Sequence, residues 1–191
     1  MLQAFQGQFP FTLIGGWAAW CYTGGPKSRD IDVIVSYPTL GKLRLEYPLV
    51  KNDRLRKYEV PLDGFDLDVY VEHYSTTLAV PPEALLERTF TMQGFAVPPV
   101  EALLALKLGA WVDRRASIHG AKDLADIRGL LPLLDRGRWA ALPQDYGLSR
   151  GQVARLSQAW AALAPLVPRR VREKAGLPDP QRARPSVDPC T

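Results

Sequence analysis

Four aspartates stand in two pairs, Asp30 and Asp32 in "DIDVIVS" and Asp66 and Asp68 in "DLDVYVE". On a strand, residues i and i+2 point to the same face. Each pair therefore shares a side, while Ile31, Val33 and Val35, like Leu67, Val69 and Val71, face the other way into a core. Within a pair the Cβ atoms lie ~7 Å apart, two strand rises. That spacing lets two carboxylates converge on one Mg²⁺, with Mn²⁺ as the substitute, or on two ions ~4 Å apart. Two such pairs on adjacent strands make a cleft that is costly without a cation and favourable with one. The bland alternative is a solvated strand end beside a turn.

Three neighbouring features weigh against that alternative. Gly15 and Gly16 lie one short helix earlier, where backbone amides and a helix N-terminus can hold phosphate. Lys27, Ser28 and Arg29 stand directly before Asp30, where cations and a hydroxyl can meet a triphosphate. The second pair supplies a third carboxylate, Asp68 or its rival Asp66, which spacing alone does not separate. The predicted chemistry is a metal–triphosphate site.

The elements that position these groups follow from pattern. Phe11–Ile14 reads as a short strand stopped by Gly15 and Gly16, and "WAAWCY" as a short helix closed by Gly24, Gly25 and Pro26. "DIDVIVS" is dense enough in Ile and Val for a sheet centre. "RKYEVPL" reads as an edge strand, because Pro61 cannot donate to a ladder. Asp63-Gly64 joins it to "DLDVYVE" as a hairpin. A helix at "PPEALLER" and one strand over residues 90–97 follow. Beyond Pro99 the texture turns helical, with Leu103, Leu106, Ala110 and Trp111 on one side, then "AKDLADIRGLLPLL", then a helix capped by Ser149. The expected fold is α+β: a catalytic head over 1–98 with a mixed sheet flanked by helices, a C-terminal α-helical part over 99–167, and a basic, flexible tail over 168–191.

"LIGGWAAWCYTGGPKSRDIDVIV" resembles the opening motif of the DNA polymerase β-like nucleotidyltransferase superfamily: glycine pair, helix, basic loop, "DxD" strand and a later strand with one more carboxylate. The resemblance covers roughly residues 11 to 72 and implies the nucleotidyltransferase fold. It implies phosphate contacts at Gly15 and Gly16, metal ligands at Asp30 and Asp32, and a third carboxylate at Asp68 acting as ligand or general base. The implied cofactor is Mg²⁺ and the implied donor an NTP, ATP among them. Many members carry serine where this chain has Gly16, so only backbone amides would replace that hydroxyl. "PPVEALLALKLGAWVDRRASIHGAKDLADI" resembles the C-terminal motif of AbiEii-like nucleotidyltransferases, some of them toxins of toxin–antitoxin pairs. The matching residues are Lys107, Arg114, Lys122, Asp123 and Asp126. Lys107 would lean toward the triphosphate, Asp123 would orient it or Arg114, and Lys122 would add charge at the same edge. The alternative there is a surface ion pair between two helices. This branch implies tRNA or protein as acceptor and a cognate antitoxin as partner; antibiotic nucleotidyltransferases would imply a small hydroxylated drug.

Composition bounds the rest. The chain has 191 residues and a net charge of +4. Arg169, Arg170, Arg172, Lys174, Arg182 and Arg184 against Glu173, Asp179 and Asp188 put three of those charges after residue 167. No run of 18 apolar residues and no signal-like start occur, so a cytoplasmic protein without a membrane span is expected. Cys21 and Cys190, with His73 and His119, suggest neither a disulfide framework nor a zinc site. Trp17 and Trp20, at i and i+3, read as core rather than a base-stacking platform, and His73 as a loop residue. Tyr70 shares the carboxylate face of its strand, where it can contact a base. Two other classes compete: a binding module without chemistry, and a "DxD" glycosyltransferase, disfavoured because the glycine turn precedes the aspartates.

Overall fold

The computed structural model describes residues 2–62 and 64–179. Five strands form a mixed sheet: β1 (Thr12–Leu13), β2 (Ile31–Val35), β3 (Val50–Asn52), β4 (Lys57–Leu62) and β5 (Phe65–Val71). Their spatial order is β1-β2-β5-β4-β3, with β2 and β5 parallel and the other pairings antiparallel. The fold is α+β, and helices make the larger part of it.

β2 and β5 lie inside the sheet, which explains their unbroken Ile/Val texture: Ile31, Val33, Ile34, Val35, Leu67, Val69 and Val71 are all buried. Between them in sequence come α3 (Tyr37–Glu46), capped by Ser36, and the β3–β4–β5 meander. Ser36 Oγ accepts from the Thr39 amide, and Pro38 stands in the first turn, where its missing N–H costs nothing.

Two strand expectations are corrected. β4 is not an edge strand, since it pairs with β5 on one side and β3 on the other. β3 pairs only with Lys57–Glu59, so Pro61 lies past its end and removes no β3 ladder bond. Residues 90–97 form a two-stranded hairpin, β6 (Phe90–Met92) and β7 (Phe95–Val97), because Gln93 and Gly94 both take positive φ. The Leu62↔Phe65 pairing closes the β4–β5 hairpin; of the predicted Asp63-Gly64 turn, Gly64 has φ +87°, while Asp63 lies outside the described residues.

The helices are α1 (Leu2–Gln8), α2 (Gly15–Thr23), α4 (Pro82–Glu87), α5 (Val100–Arg114), α6 (Ile118–Leu130), α7 (Arg136–Asp145), α8 (Arg150–Leu163) and α9 (Arg169–Ala175). Gly15 and Gly16 do not merely stop β1; they are the first residues of α2. α5 is buried almost throughout, from Val100 to Gly109, because α2, α6, α7 and α8 all pack on it. Gly109 also lets the segment before α4 pack closely on α5: a Cβ there would lie 2.7 Å from that of Ala79. Ser149 caps α8 in a full capping box with Gln152. One hydrophobic core joins the sheet and the helices beyond Pro99, running from Val33 and Val69 to Leu103, Leu108, Ile127 and Leu163. The start of the expected tail is helical: α9 buries Ala175, and Leu177 follows it into the core. The remainder of that tail, with Cys190, lies outside the described residues.

Candidate active site

The parallel pairing of β2 and β5 sets the site. In its register Asp32 stands directly beside Asp68, on strands ~4.8 Å apart. Asp32 also borders the start of α2. Gly15 has φ +64°, and a Cβ on it would lie 2.7 Å from Asp32 Cγ. Only glycine lets the backbone turn there and lets the helix terminus sit against the carboxylate. The Asp32 carboxylate has no hydrogen-bond donor or ion-pair partner among the described residues. Burial, and then the Asp68 charge, push its carboxyl up to about 6, against the pull of Lys107, Lys57 and Arg114.

Asp68 is balanced differently. Lys57 on β4 places its ammonium 2.5 Å from Asp68 Oδ2 and 3.3 Å from Glu59 Oε1. Asn52 on β3 donates to the same Glu59 oxygen at 2.9 Å. Burial raises the Asp68 carboxyl while Lys57 pulls it down. Tyr70, two residues on, is half-buried, and its hydroxyl is pushed up by burial and by the neighbouring Asp32 and Asp68.

Asp30 lies just before β2 and is exposed, its charge felt at Asp68. Asp66 is exposed and pairs with Pro61, two residues away from the Asp32–Asp68 register. Among the described residues, no three His, Cys, Asp or Glu side chains are arranged as a ready metal-ligand set. The expected meeting of three carboxylates at one point is therefore not formed as such. Like charges repel, and Lys57 holds Asp68 on the β4 side. The donor chemistry nevertheless fits a hard divalent cation, because a half-buried carboxylate with no direct ion-pair partner among the described residues stands next to a second one.

The phosphate-binding candidates separate into two groups. A Cβ on Gly16 would come 2.7 Å from Ser28 Oγ, so the Ser28 side chain fills the space a residue larger than glycine would take. Ser28 Oγ donates to the Asp30 carbonyl at 2.7 Å, and Trp17 Nε1 donates to the Ser28 carbonyl at 2.9 Å. Those bonds fix the basic loop against α2. Lys27 lies 3.9 Å from the Trp20 ring centroid and 4.6 Å from that of Trp17, both half-buried against the core. Arg29 is exposed and makes no pair among the described residues.

On the helical side, Asp123 is 1% exposed and Lys107 is 7% exposed. Lys107 reaches Asp126 at 2.6 Å and Asp123 at 3.3 Å, and Arg114 grips Asp123 with Nε at 2.8 Å. This corrects the alternative of a surface pair: Lys107 and Asp123 are buried, the Arg114 side chain closes the network from its exposed rim, and the charges of both Lys107 and Arg114 are felt at Asp32. Lys122 is exposed and stands outside the network. Lys57 and Glu59 escaped sequence reasoning. The signal was present: the hairpin that the sequence predicts between β4 and β5 sets a register, observed as Leu62↔Phe65, that puts Glu59 opposite Asp68.

The fold is that of nucleotidyltransferases of known structure. An antigenic nucleotidyltransferase-like protein from Paracoccidioides brasiliensis is similar over 91% of this chain and 88% of its own, with 18% identity and a TM-score of 0.54. The antibiotic-resistance factor ANT(2'')-Ia in solution matches over 82% of this chain and 90% of its own, with 16% identity and a TM-score of 0.56. Its crystal structure in complex with adenylyl-2''-tobramycin matches over 82% and 92%, again with 16% identity and a TM-score of 0.56. No protein-family model and no curated protein matches the sequence. No helix among the described residues is long and apolar enough to cross a membrane.

Proposed function

We propose that the chain is a metal-dependent nucleotidyltransferase that moves a nucleoside monophosphate from an NTP to an acceptor hydroxyl and releases pyrophosphate. The observation that carries this reading is the pairing of Asp32 with Asp68 against the Gly15 terminus of α2, within a fold that nucleotidyltransferases share. Asp30, Asp32 and Asp68 would hold Mg²⁺ or Mn²⁺, which when bound supplies Lewis-acid charge to the phosphates. The amides of Gly15 and Gly16 and the Ser28 hydroxyl would cradle the triphosphate at the helix terminus. Lys107 and Arg114, steadied by Asp123, add positive charge behind Asp32. The acceptor oxygen attacks the α-phosphorus, the bond to pyrophosphate breaks, and Asp68 Oδ1 takes the acceptor proton. Asp68 serves rather than Asp66 because it alone stands in register with Asp32. Catalysis then rests on positioning and charge rather than covalent chemistry.

The acceptor defines three arms of one experiment. Resemblance to the toxin-type branch gives tRNA or protein, with a cognate antitoxin as partner; the fold shared with ANT(2'')-Ia gives an aminoglycoside. Each α-labelled NTP is incubated with Mg²⁺ and total RNA, lysate protein or an aminoglycoside. Label transfer that disappears in Asp32→Asn supports the reading and names the acceptor class. Mg-NTP binding with no transfer in any arm would make the chain a binding module instead.

A further inference from the structure

We propose that Lys57 is a positioning residue that confines Asp68 to one free oxygen and offsets the charge of the carboxylate cleft. The assignment rests on the metal site proposed above. Lys57 is 7% exposed, an unusual place for an ammonium group unless carboxylates hold it. Two do, Asp68 Oδ2 at 2.5 Å and Glu59 Oε1 at 3.3 Å. Glu59 is itself anchored by Asn52, so the chain Asn52–Glu59–Lys57–Asp68 crosses three strands and ends beside Asp32. No other hydrogen-bond donor or ion-pair partner among the described residues touches Asp68. Its Oδ1 is therefore the oxygen left for a cation or an acceptor hydroxyl, and it is held in one orientation.

The consequence runs opposite to a merely structural role. Removing Lys57 takes a unit positive charge from the ligand set and frees Asp68 Oδ2, so the cleft should bind a divalent cation more tightly. At an effective dielectric near 20, one charge several ångströms away changes affinity by about tenfold or more.

The test is direct Mn²⁺ binding to the nucleotide-free chain, read by electron paramagnetic resonance of free Mn²⁺ with thermal melts alongside. Lys57→Met is expected to bind Mn²⁺ about tenfold tighter than the wild type. Lys57→Gln, which keeps a donor and loses the charge, carries the same expectation should the methionine variant not fold. Lys57→Arg, which keeps the charge, is expected to bind as the wild type does. Unchanged or weaker Mn²⁺ binding in the neutral variants, with Asp32→Asn abolishing binding, overturns the role of Lys57 and leaves the metal site standing. Wild-type Mn²⁺ binding by Asp32→Asn overturns the metal site, and the Lys57 assignment with it.

Discussion

Asp32→Asn should stabilise this protein at neutral and alkaline pH and do little in acid. The carboxyl at Asp32 is raised from 3.8 to about 6 by burial and by Asp68. A carboxyl raised in the folded state binds its proton more tightly there than in the unfolded chain. Below pH ~4 both states are protonated and the site costs nothing. As pH climbs from ~4 to ~6 the folded state must ionise a buried group, and stability is lost; above ~6 the loss is complete. About two pH units at 1.36 kcal/mol each give about 3 kcal/mol. For a chain of this length that is roughly 6–12 °C in melting temperature. Asparagine keeps the shape, removes the charge, and breaks no hydrogen bond, since the Asp32 carboxylate makes none among the described residues. Differential scanning fluorimetry at pH 8 and pH 4.5 measures both arms. The variant is expected to melt ~6–12 °C above the wild type at pH 8 and only ~2–4 °C above it at pH 4.5, where about 1 kcal/mol of the penalty remains. Equal melting temperatures at pH 8, or an equal gain at both pH values, would refute the reasoning.

Gly16→Ser should push Ser28 aside and raise the nucleotide KM about tenfold, because a Cβ at 16 lies 2.7 Å from Ser28 Oγ; steady-state kinetics on Gly16→Ser/Ser28→Gly should recover most of it, and an additive double variant would contradict the steric coupling. Asp123→Ala leaves Lys107 with Asp126 alone and strips Arg114 of its bidentate partner, so urea denaturation is expected to show a loss of about 3 kcal/mol. A loss under about 1 kcal/mol would mean that the network is solvated rather than interior.

Local chemistry made much of the frame legible. The Ile/Val density of β2 and β5, the Asp63-Gly64 signal and the Ser149 cap each reflect forces acting within a few residues. What escaped was set by distant partners. Pro61 reads as an edge marker, yet it sits past the end of a three-residue β3 that itself carries little pattern. The helix Tyr37–Glu46 was hidden by a proline and a glycine, although Ser36 and Pro38 are starting signals. Arg169–Ala175 reads as a charged tail, but Ala175 and Leu177 reach the core. At the site, residue types pointed to the carboxylates and the glycines, and the family resemblance to Lys107. Strand register was needed to find Lys57 and Glu59, whose importance comes only from lying opposite Asp68.

The central claim, that Asp32 and Asp68 form the heart of a metal–triphosphate site, is tested most directly by Mn²⁺ anomalous diffraction. Crystals grown with Mn²⁺ and a non-hydrolysable NTP analogue would be measured at the manganese edge. The account predicts an anomalous peak within ligand distance of Asp32 and Asp68, with the triphosphate running to the Gly15–Gly16 terminus of α2. A nucleotide bound elsewhere, or manganese density away from both carboxylates, would contradict it.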